Sequence, residues 1–400
     1  MKILSIFGTR PETIKMAPVL FELKRRARHH DLQSLVCVTA QHREMLDQIL
    51  ATFRITPDID LQLMSPNQSL ASLTARALLA INQVLDRERP DLVLVQGDTT
   101  TAMVASMAAF YQKIPVGHIE AGLRTRNPHS PFPEEANRRI ISVMADYHFA
   151  PTASAINNLR GEGVPDCQLF LTGNTVIDAL LCVARRAPST LSRALLSRLN
   201  FDQIDRIKPI LVTIHRRENQ GRRLEDIFGA LRSIADSNSN ALILYPVHLN
   251  PNIRGPATRI LSGHHRIHLL EPLPYEPFAQ LLKRCHFVMT DSGGIQEEAP
   301  ALGKPVLVLR NDTERPEAIA AGCAKLVGTD STQIIASAEQ LLQDEIEYDR
   351  MARVTCPYGD GRAAQRIVDI VCGHPSFAFV PAADTFLSSF LPIAPAQLQN

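Results

Sequence analysis

The sequence predicts an α/β protein of two Rossmann-like, doubly wound domains, each built on a parallel sheet. Short apolar runs alternate with helix-like segments of roughly 10–18 residues, the βα rhythm of such folds. The runs are continuously apolar rather than alternating, as strands covered on both faces must be. The rhythm stops in a polar, Arg- and Ser-containing segment and then restarts. A chain of 400 residues also exceeds what one compact core ordinarily holds.

The first series of runs lies at 4–7, 35–39, 92–95, 116–119 and 148–150, and the second at 210–213, 242–245, 267–270, 287–290 and 306–309. These runs set an N-terminal domain at 1–180, a helix and linker within 181–208, and a C-terminal domain at 209–372. From His374 the chain is rich in Pro and Ser without periodicity, so 373–400 is expected to be a poorly ordered tail. Phe377, Phe379, Val380, Phe386, Phe390 and Leu391 are more than a solvated tail needs and leave two further readings, an apolar anchor and, favoured over it, packing of the tail on its own domain or on a partner subunit.

Composition excludes several classes. With 21% charged residues and a net charge of +1, the chain has no extended field for nucleic acid or an anionic membrane, and a small ligand is expected. The seven cysteines are scattered singly with no CxxC pair, against a zinc cluster or a secreted disulfide framework, and they suit a reducing cytoplasm. The apolar run at the start, about five residues ended by Gly8, is short for a signal peptide or a membrane span. No metal and no cofactor is expected.

Thr290-Asp291-Ser292-Gly293-Gly294-Ile295-Gln296-Glu297-Glu298-Ala299 reads as a strand end, a glycine turn and a helix start. Ser292 is a candidate cap, and Gly293 and Gly294 allow close backbone approach. A helix start offers free N–H groups and partial positive charge to an anion. Glu298, one turn further in, is placed to accept bonds from ribose hydroxyls, so the corner suits a nucleoside diphosphate. Thr313-Glu314-Arg315-Pro316 brings a second charged loop to the same sheet edge, where ligands of open parallel sheets bind.

Gly8-Thr9-Arg10-Pro11-Glu12-Thr13-Ile14-Lys15 sets two cations, Arg10 and Lys15, at the start of the first helix. It is not a Walker A loop, and no Gly-x-Gly-x-x-Gly follows any strand, so ATP hydrolysis and a dinucleotide lose support. Asp98, Glu120 and Glu134 fall at strand ends or loops of one domain edge. Asp98 alone reads equally as a helix cap, but three acids grouped at one edge favour acid/base work. In the second domain His215, Arg216 and Arg217 end a strand; His215 can neutralise a phosphate or move a proton.

The chain is similar to the non-hydrolysing UDP-N-acetylglucosamine 2-epimerases over about residues 1–372. The shared motifs include Phe7-Gly8-Thr9-Arg10-Pro11-Glu12, Gly97-Asp98-Thr99-Thr100-Thr101, His118-Ile119-Glu120-Ala121-Gly122-Leu123-Arg124, Pro133-Glu134-Glu135, His215-Arg216-Arg217-Glu218, Asp291-Ser292-Gly293-Gly294 and Pro357-Tyr358-Gly359-Asp360-Gly361. The resemblance implies a GT-B-type fold with the active site in the interdomain cleft, interconversion of UDP-GlcNAc and UDP-ManNAc for surface polysaccharides, and a homodimer. By position it implies UDP and sugar contacts at Arg10, Lys15, Asp98, Glu120, His215, Phe278, Ser292, Gly293, Gly294, Glu298 and Arg315, with Glu134 joining Asp98 and Glu120 as a catalytic carboxylate and His215 counted with them. It further implies a second, activating UDP-GlcNAc at Gln41, Arg216 or Arg217, and His248. Two positions depart from the pattern: Asn67 stands where some members carry arginine, and Leu273 where some carry glutamine beside the uracil.

The chemistry fits. The C2 proton of an N-acetylhexosamine is not next to a carbonyl, and no nicotinamide motif exists to make one. If UDP leaves first, positive charge at C1 acidifies that proton, which calls for a diphosphate clamp and positioned carboxylates. The alternatives are a hydrolysing 2-epimerase releasing ManNAc, a GT-B glycosyltransferase and a non-catalytic UDP-sugar sensor.

Overall fold

The computed structural model describes residues 1–28, 31–39, 43–63, 68–199, 207–381 and 392–393. It divides into two compact units, Met1–Ala179 with Tyr358–Val380, and Leu180–Pro357. The first holds a seven-stranded parallel sheet of β1 (Lys2–Phe7), β2 (Gln33–Val38), β3 (Ile59–Asp60), β4 (Leu92–Gln96), β5 (Val116–Ile119), β6 (Tyr147–Ala150) and β7 (Leu169–Leu171), in the order β3-β2-β1-β4-β5-β6-β7. The second holds a six-stranded parallel sheet of β8 (Lys208–Thr213), β9 (Ala241–Pro246), β10 (Ile267–Leu270), β11 (Phe287–Thr290), β12 (Val306–Val308) and β13 (Ala324–Leu326), in the order β10-β9-β8-β11-β12-β13. Both orders reverse once, at β1/β4 and at β8/β11.

Every residue of β4, β5 and β11 is buried, as helices on both faces require. The helices show the matching stripe. In Arg222–Ser237, Leu224, Ile227, Phe228, Leu231 and Ile234 are buried at helical spacing against β8 and β9. Each sheet thereby has its own core, one around Ile3, Phe7 and Phe149 and one around Ile210, Ile243 and Phe287. Among the described residues no helix is long and apolar enough to cross a membrane.

The expected boundaries differ from the structure at two places. The helix Ala363–Val371, expected to close the C-terminal domain, belongs to the first unit, where Ala364, Ile367, Val368, Ile370 and Val371 join the core of β1 and its helix Arg10–Ala27. Its apolar face finds its partner there, and the carboxylate of Asp178 accepts from its first N–H groups, Ala363 at 3.3 Å and Ala364 at 2.9 Å. The segment read as a linker also has a domain of its own. Residues from Leu180 on group with the second unit, where the helix Thr190–Arg198 packs on the helix Tyr275–Arg284 and Ser189 and Ser192 hydrogen-bond Glu276.

The start of the tail is packed rather than loose. Phe379 is 2% exposed, its N–H donates to the Leu171 carbonyl at 2.8 Å, and Ser376–Phe377 pairs antiparallel with Pro392–Ile393. Phe377 and Val380 stay exposed, and Phe386, Phe390 and Leu391 lie outside the described residues.

Candidate active site

In open α/β sheets the ligand site lies where the strand order reverses, because the flanking loops splay to opposite faces there. In the first unit those loops follow β1 and β4. Glu12, on the first turn of the helix Arg10–Ala27, ties them together. Its carboxylate accepts from the N–H of Gly8 (3.0 Å) and Thr9 (2.7 Å) and from the hydroxyl of Thr99 (2.6 Å). Burial pushes the Glu12 carboxyl up from its ordinary value, with these donors acting against it. Gly8 is required by space: a Cβ there would lie 2.0 Å from Thr39 Oγ1.

Thr99, not Asp98, caps the helix Thr100–Tyr111, its hydroxyl accepting from Ala102 N–H at 3.1 Å. Asp98 is thereby released from the capping role that sequence alone left open. Its carboxylate receives Arg138 Nη2 at 2.7 Å and Nε at 2.9 Å, and its carbonyl receives Asn137 Nδ2 at 2.9 Å. Both partners come from the helix Glu134–Met144, so the helix that begins at Glu134 is fastened to the Asp98 loop. Glu134 Oε2 is buried with no hydrogen-bond partner among the described residues. The adjacent Glu135 is fully engaged instead. Although burial opposes it, the N–H groups of Thr125 and Arg126 and the Arg138 guanidinium hold its carboxyl below the ordinary range.

Glu120 follows β5 with φ +66°, the left-handed region that few residues other than glycine occupy. Its carboxylate is 9% exposed by residue and is held on both oxygens. Lys15 Nζ lies 2.5 Å from Oε1 and 2.6 Å from Oε2, Gln96 Nε2 donates to Oε2 at 2.6 Å, and Asn174 Nδ2 donates to Oε1 at 2.9 Å. Lys15, expected beside a diphosphate, thus directs its ammonium to Glu120. It stands three residues after Glu12 on one helix face, which carries it over the same loops. Arg10, at the first helical position, has no hydrogen bond or ion pair among the described residues. Gln96, Asn174 and Arg138 were not singled out from sequence. Gln96 carried a signal, a polar residue ending the buried run Leu-Val-Leu-Val.

In the second unit the flanking loops follow β8 and β11, and a buried acid again joins them. The carboxylate of Asp291 accepts from the N–H of His215 (3.1 Å) and Arg216 (2.9 Å) and from Asn219 Nδ2 (3.0 Å). Burial lowers the His215 imidazole below its ordinary value, Arg216 and His248 adding to the effect and Asp291 opposing it. Its ring stacks on that of His248 at 6.0 Å.

Ser292 opens the helix Gly293–Glu298, but its hydroxyl makes no capping bond; its N–H donates to Thr290 Oγ1 at 2.9 Å. The first N–H groups of this helix have no partner within it. A Cβ on Gly293 would lie 2.8 Å from Glu314 Oε1. Glu314 in turn receives Arg216 Nη2 at 2.9 Å and Arg310, which also reaches Glu218 at 2.7 Å. Arg315 pairs with Glu297, and Glu298 is buried. Phe278 is half-buried on the helix Tyr275–Arg284, Arg217 and His248 are exposed, and Gln41 and Asn67 lie outside the described residues.

The structure therefore collects Lys15, Glu120, Asp98 and the helix of Glu134 at one sheet edge, and His215, Arg216, Ser292, Gly293 and Glu314 at the other. Two parallel-sheet units with loops so placed make this a two-domain α/β protein of the GT-B-like class. Solved structures agree: that of a UDP-N-acetylglucosamine 2-epimerase from Listeria monocytogenes superposes with TM-score 0.86 at 47% identity, covering 92% of this chain and 95% of its own. The Neisseria meningitidis enzyme, solved bound to UDP-GlcNAc, gives TM-score 0.83 at 51% identity over 93% of this chain and 100% of its own.

The UDP-N-acetylglucosamine 2-epimerase family model matches residues 24–372, and the Escherichia coli K12 enzyme of that name is 52% identical over 92% of this chain and 98% of its own. The chain belongs to the UDP-N-acetylglucosamine 2-epimerase family.

Proposed function

We propose that this enzyme interconverts UDP-GlcNAc and UDP-ManNAc by eliminating UDP to 2-acetamidoglucal and adding it back. The observation that carries the reading is the Glu120 carboxylate, buried, gripped on both oxygens, and grouped at one sheet edge with Asp98 and the helix of Glu134. In the forward step the C1–O bond breaks and its electron pair leaves on the diphosphate. A carboxylate takes the C2 proton, and that C–H pair becomes the C1=C2 double bond. In the return step a carboxylic acid delivers a proton to the opposite face of C2, and a diphosphate oxygen attacks C1. One acid on each face is needed, and Asp98, Glu120 and Glu134 supply the set.

The second unit supplies the leaving-group site. The free N–H groups of the Gly293 helix and the cations Arg216 and Arg315 suit a diphosphate, and Glu298 and Phe278 suit the nucleoside. Arg10, a first-unit cation with no hydrogen bond or ion pair among the described residues, completes the assignment. The Neisseria enzyme's UDP-GlcNAc complex and a Methanocaldococcus jannaschii complex with UDP-GlcNAc and UDP support this ligand class. The product is proposed to feed surface polysaccharide synthesis in the cytoplasm. A homodimer is supported by Phe110, Tyr111 and Val143, at 55%, 66% and 84% exposed on the helices Thr100–Tyr111 and Glu134–Met144.

The test is solvent exchange at C2 in D2O, read by proton NMR for wild type and for Asp98→Asn, Glu120→Gln and Glu134→Gln. At least two of the three are expected to lose exchange by ~100-fold or more. Full activity in all three overturns the assignment, and free ManNAc without UDP-ManNAc would assign the hydrolysing reaction instead.

A further inference from the structure

We infer that Asn174 is a positioning residue that aims the Glu120 carboxylate, and that it is itself held by the segment through which the chain re-enters the first unit. The inference rests on Glu120 acting in catalysis as proposed above. Asn174 is 2% exposed, and three of its bonds go to different partners. Its Oδ1 accepts from the N–H of Val176 at 3.1 Å, at the start of the helix Thr175–Arg185. That bond fixes the amide orientation, because an N–H can be met only by the oxygen. The Nδ2 must then face Glu120, where it donates to Oε1 at 2.9 Å.

The third bond runs from the Asn174 N–H to the carbonyl of Tyr358 at 2.7 Å. Tyr358 is buried and is the first residue of the returning segment. The contact is close-packed on both sides. A Cβ on Gly359 would meet Ile177 at 3.2 Å and the Asn174 carbonyl at 3.4 Å, and Gly173 holds φ +84° with its own Cβ position 3.3 Å from Gly359. The motif Pro357-Tyr358-Gly359-Asp360-Gly361 thereby gains a role besides chain return: it seats the residue that seats Glu120.

Lys15 supplies charge to Glu120, but an ammonium on a four-carbon stem swings, whereas a buried amide locked by two other bonds sets direction. The charged and titratable groups coupled to the carboxylate include Lys15, from its helix, and His118 on its own strand, while Gln96 and Asn174 are neutral.

The deciding variant is Asn174→Asp. It keeps the shape and an oxygen for Val176 N–H, but turns an acceptor toward Glu120 in place of a donor. The rate of C2 exchange is measured against pH for wild type, Asn174→Asp, Asn174→Ala and Glu120→Gln, with UDP affinity and Tm alongside. The acid limb of the Asn174→Asp profile is expected to move to higher pH, with exchange at neutral pH down ~100-fold and UDP affinity unchanged. Asn174→Ala should lose ~10-fold. Gly359→Ala should show a smaller loss of the same kind, and an unchanged rate there overturns the part assigned to the returning segment. If Glu120→Gln is inactive while Asn174→Asp retains the wild-type profile, the positioning role is overturned and the proposed function stands. If Glu120→Gln keeps full exchange, the catalytic role of Glu120 falls and the positioning role of Asn174 falls with it, while the proposed function is decided by Asp98→Asn and Glu134→Gln.

Discussion

The two sheet edges solve one structural problem alike and then diverge. In each, a buried acid, Glu12 in the first unit and Asp291 in the second, receives backbone N–H groups and so binds together the two loops flanking the strand-order reversal. At the same edge as Glu12 stand Asp98 and Glu120, held by amides, one lysine and one arginine, and Glu134, whose Oε2 has no hydrogen-bond partner among the described residues. Around Asp291 stand the arginines of positions 216, 310 and 315 with glycines at 293 and 294. In the proposed function, loops braced in one way carry opposite chemistries, proton transfer beside one brace and anion holding beside the other. The brace belongs to the fold, and the residues beside it decide the function.

The sharpest way to break this contrast is to separate chemistry from UDP binding. Glu120→Gln and Asp98→Asn should lower C2 exchange by ~100-fold or more while UDP affinity by calorimetry stays within about threefold. Asp291→Asn should do the reverse in binding, weakening UDP by ~10-fold because at least one N–H of the His215 loop loses its acceptor. Equal losses of UDP affinity in both sets would abolish the division of labour.

Next in size is Gly8→Ala. Its methyl would fall 2.0 Å from Thr39 Oγ1, beside the Glu12 brace. Chemical denaturation should show a loss of about 1–3 kcal/mol. Gly293→Ala should be milder, because the obstructing atom is the end of the Glu314 side chain. A several-fold loss of UDP affinity with an unchanged Tm is expected.

A separate test concerns pH. Burial raises the Asp178 carboxyl to about 7 from 3.8, against the pull of the Ala364 and Ala363 N–H groups. The folded state therefore keeps its proton where the unfolded chain has lost it, and this group's contribution to stability falls as pH rises from about 4 to about 7. Asp178→Asn should remove that slope, seen as a Tm difference from wild type that changes across pH 5 to 8. A constant difference across the range would count against it.

The ten main strands were legible because each is a buried apolar run. Those missed in the two parallel sheets, Ile59–Asp60, Leu169–Leu171 and Ala324–Leu326, are two or three residues long and form sheet edges, too short for any period to appear. The helix Ala363–Val371 was legible as a helix, but an apolar stripe does not say which core will cover it. Of the site, Lys15, Asp98, Glu120, Glu134 and His215 announced themselves by type and place, whereas Arg138 shows its part only through its pairing with Asp98. Gln96 and Asn174 did not, because neutral amides are common at strand ends and helix starts, and only the tertiary meeting with Glu120 distinguishes them. Lys15 shows the converse: its charge was evident, while its commitment to Glu120 depends on which loop its helix overhangs.

Because the helix Ala363–Val371 completes the first unit's core, that unit is not a continuous stretch of polypeptide. A single protease nick between the units cannot release it whole, and a fragment ending near residue 180 would expose the surface that this helix covers. A ribosome making the protein must finish the entire second sheet before it reaches the helix that covers the first unit's core, so that core is completed last.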